Sequence, residues 1–321
     1  MSSIYSCCQY VLTTIKSRQI RKHLANNGLE YVVKKYPIVG GKTLLSPEEA
    51  HKTIASLLSS DDPVMIGRFG SVELSNVAKM ITGFDYKKEL SINTLCNNAG
   101  FFPNDEDLVM KFAQLMVESM KFCDLQGVWY LPYEDYFTRH YLPENCKVTE
   151  VRYLEPWFSK HPWTSALEGK KVLVVHPFAE SITKQYRNRE HIFDEKDGYL
   201  PDFDLSVIKA VQTIAGTKDN RFNNWFEALD YMFEEIERID YDIAILGCGA
   251  YGYPLAARIK RAGKKAIHLG GVTQILFGIK GKRWEEDKNP IVRELFNEYW
   301  IRPDQSEIPQ NKSNVENGCY W

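Results

Sequence analysis

The sequence predicts an α/β protein in which a mostly parallel sheet is flanked by helices and preceded by a helical N-terminal extension. Three observations predict it. Apolar, β-branched runs of strand length recur at residues 64–66, 170–175 and 243–246, and each opens at once into a glycine-rich or polar turn. Longer segments with helical spacing alternate with these runs. Residues 240–284 contain a complete β–α–β unit. In that unit Ile243–Leu246 is a strand, Gly247-Cys-Gly249-Ala-Tyr-Gly252 is a G-x-G-x-x-G turn, and Pro254 stands where a first helical turn tolerates it. Leu255, Ala256 and Ile259 share one helix face, Arg258, Lys260 and Arg261 take the other, Gly263 stops the helix, and 266–269 is the second, parallel strand.

In chain order, residues 1–45 read as the helical extension, ending near Gly40-Gly41. Ser46-Pro47-Glu48-Glu49 starts a helix with Ser46 as N-cap and Glu49 at the capping-box position, running to 59 or 60. Asp61-Asp62-Pro63 breaks it, and strand 64–66 delivers Gly67-Arg68-Phe69-Gly70-Ser71-Val72-Glu73. A polar-to-aromatic loop is expected at 96–103, a helix at 105–121, a strand at 127–131 and an aromatic-rich segment at 133–163. A strand at 170–175 then runs into a polar loop opening a helix at 176–186. Another strand at 205–214, a helix at 225–239 and a charged helix at 290–299 follow. The expected division is an extension (1–45), a main domain (46–300, readable as lobes 46–165 and 166–300) and a flexible polar tail (301–321).

Composition bounds the function. Of 321 residues, 44% are hydrophobic and 26% charged, the balance of an ordinary globular protein. A net charge of -2 excludes a general nucleic-acid binder, which would show a basic excess. The seven cysteines are odd in number and lack C-x-x-C spacing, which fits reduced thiols in a cytoplasmic protein. No stretch has the length of a membrane span. Residues 1–25 mix Tyr5, Tyr10, Val11, Leu12 and Ile15 with Lys16, Arg18, Arg21, Lys22 and His23; such a basic amphipathic helix can lie on the inner face of a membrane or pack on its own domain.

Two stretches carry chemistry. Between Gly247 and Trp284 there is no Asp or Glu, so a helix N-terminus and several cations surround two strand ends, an arrangement that suits a phosphorylated ligand. The glycines can equally serve tight turning and helix–strand packing alone. A dinucleotide would call for an acid about 20 residues after the glycines, where Ile267-His268-Leu269-Gly270-Gly271 stands instead. The second stretch is 67–73. Arg68 can grip a diphosphate as a bidentate donor, and Glu73 can bind a metal or act as a base; alternatively the two pair with each other. After strand 170–175, Ser181 and Lys184 are phosphate candidates and His176 and Glu180 proton-transfer candidates. Asn97 and Asn98, and the aromatic residues of 133–163, can contact sugar or serve turning and packing.

With both stretches in view the chain resembles the GT-D glycosyltransferases, bacterial enzymes that build surface polysaccharide or glycoprotein glycans from nucleotide sugars. The carrying residues are Arg68-Phe-Gly-Ser-Val-Glu73, Gly247-Cys-Gly-Ala-Tyr-Gly252, His268-Leu-Gly-Gly-Val-Thr-Gln274 and Phe277-Gly-Ile-Lys-Gly-Lys-Arg-Trp284. The resemblance covers roughly 46–300. It implies a Rossmann-like fold, a UDP-sugar donor, a glycan or lipid-linked acceptor, and an Asp-X-Glu pair supporting Mn²⁺ or Mg²⁺. Here Ser71 takes the Asp position and Glu73 keeps the Glu, leaving one carboxylate and a hydroxyl for a hard cation. The donor-binding set expected on this basis is Arg68, Gly70, His176, Ser181, Lys184, Gly247, Gly249, Gly252, Gly270, Gly271, Gln274, Lys280 and Arg283. Glu73, Glu180 and His268 are the candidate bases, with Glu73 also the metal ligand. The competing readings are an NAD(P)-dependent oxidoreductase and a degenerate nucleotide-binding scaffold.

Overall fold

The computed structural model describes residues 2–83, 92–194, 198–287, 290–315 and 318–321, with side chains from residue 12 onward. Its nine strands are β1 (Ile38–Val39), β2 (Lys42–Leu45), β3 (Val64–Arg68), β4 (Leu125–Val128), β5 (Lys147–Glu150), β6 (Lys171–His176), β7 (Asp204–Lys209), β8 (Ile243–Leu246) and β9 (Lys265–His268). The first ten helices are α1 (Ser2–Lys35), α2 (Pro47–Ser59), α3 (Ser71–Thr82), α4 (Ile92–Ala99), α5 (Glu106–Met120), α6 (Glu134–Tyr141), α7 (Ala179–Tyr186), α8 (Arg189–Ile192), α9 (Trp225–Glu237) and α10 (Gly252–Arg261). Single turns α11 (Thr273–Leu276), α12 (Lys282–Glu285) and α13 (Ile291–Glu294) follow.

The strands form one sheet in the order β1-β2-β5-β4-β3-β9-β8-β6-β7, antiparallel only between β1 and β2. Alternation along the strands loads both faces. Val64 and Ile66, Val172 and Val174, and Ile243 and Ile245 enter one core; Met65, Leu173, Val175, Ala244 and Leu246 enter the other. The chain runs outward from β3 to β4 and β5, then crosses to fill the other half, so β3 and β9 flank a point where the winding direction reverses. Crevices at such points, outside the carboxyl ends of the strands, are where open α/β sheets bind ligands.

Local signals hold where they were strong. The capping box at α2 is formed, with the Glu49 carboxylate accepting from the Ser46 N–H at 2.9 Å and the Glu49 N–H donating to the Ser46 hydroxyl at 3.4 Å. The β8–α10–β9 unit is present and parallel.

Other expectations are corrected. Residues 38–45 are not helical: Gly40 (φ 59°) and Gly41 (φ 81°) make a two-residue turn between β1 and β2, and β2 joins the sheet beside β5. Cys96–Ala99 belong to α4 rather than to a loop, β5 lies inside the aromatic segment, and β7 ends at Lys209, well before 214. Only Ile291–Glu294 of the expected 290–299 helix is helical. The C-terminal segment is not a loose polar tail: Glu307, Val315, Cys319 and Trp321 are all buried.

Helix α1 kinks at Gly28 (φ 81°) and rests on the domain through Thr14, Ser17 and Ile20, the Ser17 hydroxyl donating to the Tyr130 carbonyl at 2.7 Å. Leu12 and Ile15 stay exposed beside Lys16 and Arg18, while the side chains of Tyr5, Tyr10 and Val11 lie outside the described residues. Among the described residues no helix is long and apolar enough to cross a membrane. Cys96, Cys123, Cys146, Cys248 and Cys319 carry free thiols.

Candidate active site

A pocket of about 380 Å³ opens over the carboxyl edge of the sheet, within the size range of small-molecule sites. Each parallel strand from β3 to β9 delivers residues to it at or beyond its carboxyl end: Arg68 and Gly70–Glu73; Trp129; Val151, Arg152, Leu154 and Glu155; His176–Phe178; Val211–Ile214; Gly247–Gly249; and Leu269, Gly271, Val272 and Gln274. Arg283, Trp284, Asp287, Ile291 and Val292 close one side, and Val315, Tyr320 and Trp321 bring the C-terminal segment to it.

Arg68 is a closely held cation of this pocket. It ends β3, its guanidinium stacks 5.1 Å from the Trp129 ring, and its Nε is buried with no hydrogen-bond partner among the described residues. Burial pulls its pKa down; Tyr320 and Glu73 oppose that, and the like charge of Arg283 adds to it. Gly270 (φ 67°) makes room for it, since a Cβ there would lie 1.9 Å from Arg68 Nη2. Trp129 is held in turn: its indole N–H donates to the Phe69 carbonyl at 2.9 Å, and its backbone N–H, with that of Leu131, donates to the Glu134 carboxylate at 2.8 and 3.0 Å. Arg283 stacks 4.6 Å from the Tyr320 ring and donates to its hydroxyl at 3.1 Å.

The G-x-G-x-x-G turn divides its labour. A Cβ on Gly247 would lie 2.3 Å from the His176 ring and 2.8 Å from Thr273, and one on Gly252 would lie 2.1 Å from His268 Nδ1, so these two permit close packing. Gly249 has open space around it and a left-handed φ of 58°, so there conformation is what glycine supplies. The His176 ring lines the pocket; its Nδ1 accepts the Phe178 N–H at 3.0 Å, which puts the ring proton on Nε2. Burial lowers its pKa to about 3. His268 does not line the pocket. It packs against Gly252, donates from Nδ1 to the Leu246 carbonyl at 3.1 Å, and is lowered to about 3 by burial and by the charge of Arg68, so it is a neutral packing group rather than a base.

Several other expected site residues are turned to different tasks. At the start of α7 the backbone N–H groups of Glu180 and Ser181 donate to Glu307 at 2.7 and 3.3 Å, and the Ser181 hydroxyl donates to the same carboxylate. A helix N-terminus attracts an anion, and here the chain's own C-terminal segment provides it. Glu180 is exposed and 3.9 Å from Lys209, and exposed Lys184 acts on Asp304; neither lines the pocket. Of the cations in the acid-free stretch, Arg258 pairs with Asp230 (2.6 Å), Lys260 with Asp124 (2.7 Å), and Lys264 and Lys265 donate to the carbonyls of Tyr241 and Leu58. They sit towards the C-terminal end of α10 and the start of β9, away from the pocket. Lys280 stacks 5.6 Å from Phe296, and the Gln274 amide donates to the carbonyls of Ile279, Lys280 and Tyr320, bracing the floor. Gly271 clears Tyr320, whose ring would be 2.5 Å from a Cβ there. Asn98 lines the pocket, as do the aromatic residues Trp129 and Phe158; Tyr136, Phe137 and Tyr141 instead pack on one another.

Among the described residues three carboxylates line the pocket: Glu73, Glu155 and Asp287. Glu73 is the third residue of α3 and folds back on its N-cap, its Oε2 only 2.0 Å from where a Cβ on Gly70 would stand. Glu155 and Asp287 were not expected. Among the described residues no three His, Cys, Asp or Glu side chains converge as a protein-built metal cage requires. Ser71 and Glu73, which both line the pocket, are the residues that could contribute to an ion held mostly by substrate phosphates and water.

No family model and no curated protein matches the chain. Two solved structures are similar. One, described as "The highly conserved domain of unknown function 1792 has a distinct glycosyltransferase fold", is 14% identical with a TM-score of 0.42, over 82% of this chain and 95% of that one. The other, a selenomethionine-substituted structure of domain of unknown function 1792, is 13% identical with a TM-score of 0.44, over 85% of this chain and 94% of that one.

Proposed function

We propose that this chain is a glycosyltransferase that moves a hexosyl group from a UDP-sugar to a glycan or lipid-linked acceptor in the assembly of surface polysaccharide. The observation that carries this reading is Arg68: a cation fixed by Trp129 and Gly270 at the crevice between β3 and β9, its buried Nε without a hydrogen-bond partner among the described residues, with Arg152 and Arg283 lining the same pocket. Guanidinium donors gathered in one pocket suit the oxygens of a bound diphosphate. The leaving diphosphate of a nucleotide sugar is such a group, and its growing charge is what this chemistry most needs stabilised. Each charge-assisted hydrogen bond is worth roughly 1.5–3 kcal/mol. The backbone of Gly247–Gly249 and the Nε2–H of His176 add donors on the same edge.

Glu73 and Ser71 would hold a Mg²⁺- or Mn²⁺-type ion jointly with the donor phosphates, and the ion would supply further neutralisation of the diphosphate. The exposed Leu12 and Ile15, set among Lys16, Arg18 and Arg21, support peripheral contact with an anionic membrane carrying a lipid-linked acceptor. The test is thermal stabilisation of the protein by UDP, UDP-hexoses, GDP, CMP, NAD and NADP, each with and without Mn²⁺. Stabilisation by UDP or a UDP-hexose is expected. Stabilisation by NAD or NADP alone would make the glycine turn a dinucleotide site and overturn the reading, and silence throughout would favour a scaffold.

A further inference from the structure

We infer that Glu155 is the base that takes the proton from the acceptor hydroxyl. The inference rests on the glycosyltransferase reading and adds a residue to it. Glu155 stands between two single-turn 3-10 helices, Val151–Leu154 and Pro156–Phe158, immediately beyond β5, and lines the same pocket as Arg68. Its Oε2 accepts the Trp157 indole N–H at 2.8 Å, and its backbone N–H is tied to the Arg152 carbonyl at 2.9 Å, so the carboxylate is fixed in place. Its charge acts on Arg68, and it feels that of Asp287, which lines the same pocket. Trp157, which binds it, belongs to an apolar cluster with Phe158, Trp284, Ile291 and Val292, and these four line the pocket as a surface suited to a sugar ring or lipid-linked acceptor rather than to the diphosphate.

The other candidates are worse placed. Glu180 and His268 do not line the pocket, and Glu73 is folded back on the start of α3. In the step, the acceptor oxygen forms a bond to the anomeric carbon as the bond from that carbon to the diphosphate oxygen breaks. The bonding pair leaves with UDP beside Arg68 and Arg283, and the hydroxyl proton passes to Glu155. Burial, then the neighbouring carboxylate Glu150, raises the Glu155 pKa to about 8; Arg152 and the Trp157 hydrogen bond oppose that rise, and Asp287 adds to it. A base so placed is half-charged near pH 8, close enough to the working pH for general-base catalysis to be effective.

The test measures UDP release from UDP-glucose, UDP-galactose and UDP-N-acetylglucosamine, with water as acceptor, for the wild type, Glu155→Gln and Glu155→Asp, alongside UDP titrations of each. Gln keeps the oxygen that Trp157 needs. For the wild type, kcat/KM should rise with pH to a plateau with a midpoint near 8. Glu155→Gln should lose about 100-fold or more and lose that pH limb, with UDP affinity changed less than about threefold. Glu155→Asp should be slower but keep the limb, and it carries the test if the Gln variant does not fold. A Glu155→Gln enzyme with wild-type rate and wild-type pH limb overturns the base role and leaves the glycosyltransferase reading intact. Loss of UDP affinity parallel to loss of rate would make Glu155 a donor-binding residue and also overturn it. A wild type that binds neither UDP nor any UDP-sugar overturns the function reading and this role with it.

Discussion

Replacing the glycines of the 247–252 turn one at a time separates folding from ligand binding. In Gly252→Ala the new methyl would stand 2.1 Å from His268 Nδ1 and 2.3 Å from its Cε1. His268 is buried and holds the Leu246 carbonyl through that nitrogen, so it cannot step aside without loss. Overpacking costs about 1–3 kcal/mol and the lost hydrogen bond about 1 kcal/mol, a sum of roughly 2–4 kcal/mol. In Gly249→Ala nothing lies within 4 Å of the methyl, and the cost is the left-handed φ of 58° alone, about 1–2 kcal/mol. Urea unfolding of the two variants should therefore place Gly252→Ala below Gly249→Ala. UDP titration should reverse the order, because Gly249 shapes the pocket edge whereas Gly252 does not line it. A Gly252→Ala protein as stable as the wild type, or one less able to bind UDP than Gly249→Ala at equal stability, would refute this division of roles.

Glu307→Ala should free the C-terminal segment from α7, because three donors lose their acceptor together; hydrogen exchange of residues 301–315 should rise while the sheet stays protected. Glu134 is buried, and burial raises its pKa to about 8 against the partial opposition of the Leu131 and Trp129 N–H groups. A pKa raised on folding means the native state holds the proton more tightly. The contribution of Glu134 is therefore full below the unfolded carboxyl range and falls as pH rises towards 8, by at most about 1.4 kcal/mol per unit. Glu134→Gln should flatten that decline in urea unfolding series, and an unchanged slope would show that Glu134 is not its source.

What the sequence made legible was local. The capping box at Ser46–Glu49, the β8–α10–β9 unit and the delivery of Arg68 at a strand end each depend on residues within a few positions of one another. The Gly40-Gly41 pair was also a readable hairpin signal, hidden because β1 and β2 are only two and four residues long. The non-local pairings could not be read. Glu307 reaches Ser181 across 126 positions and Asp124 reaches Lys260 across 136, so neither the occupied start of α7 nor the diversion of the cations had a local signature. Polar composition concealed that Val315, Tyr320 and Trp321 fold back to the pocket. Glu155 lay in a segment whose aromatic residues drew attention to packing; an acid set directly before Pro156-Trp157 was the signal available.

The most direct test of the central claim is calorimetric titration of UDP into the wild type, Arg68→Ala and Arg68→Lys. The wild type should bind UDP, Arg68→Ala should lose about 10- to 150-fold in affinity, the equivalent of 1.5–3 kcal/mol, and Arg68→Lys, whose point charge lacks the planar fork, should recover only part of it. Arg68→Ala binding UDP as tightly as the wild type would contradict it.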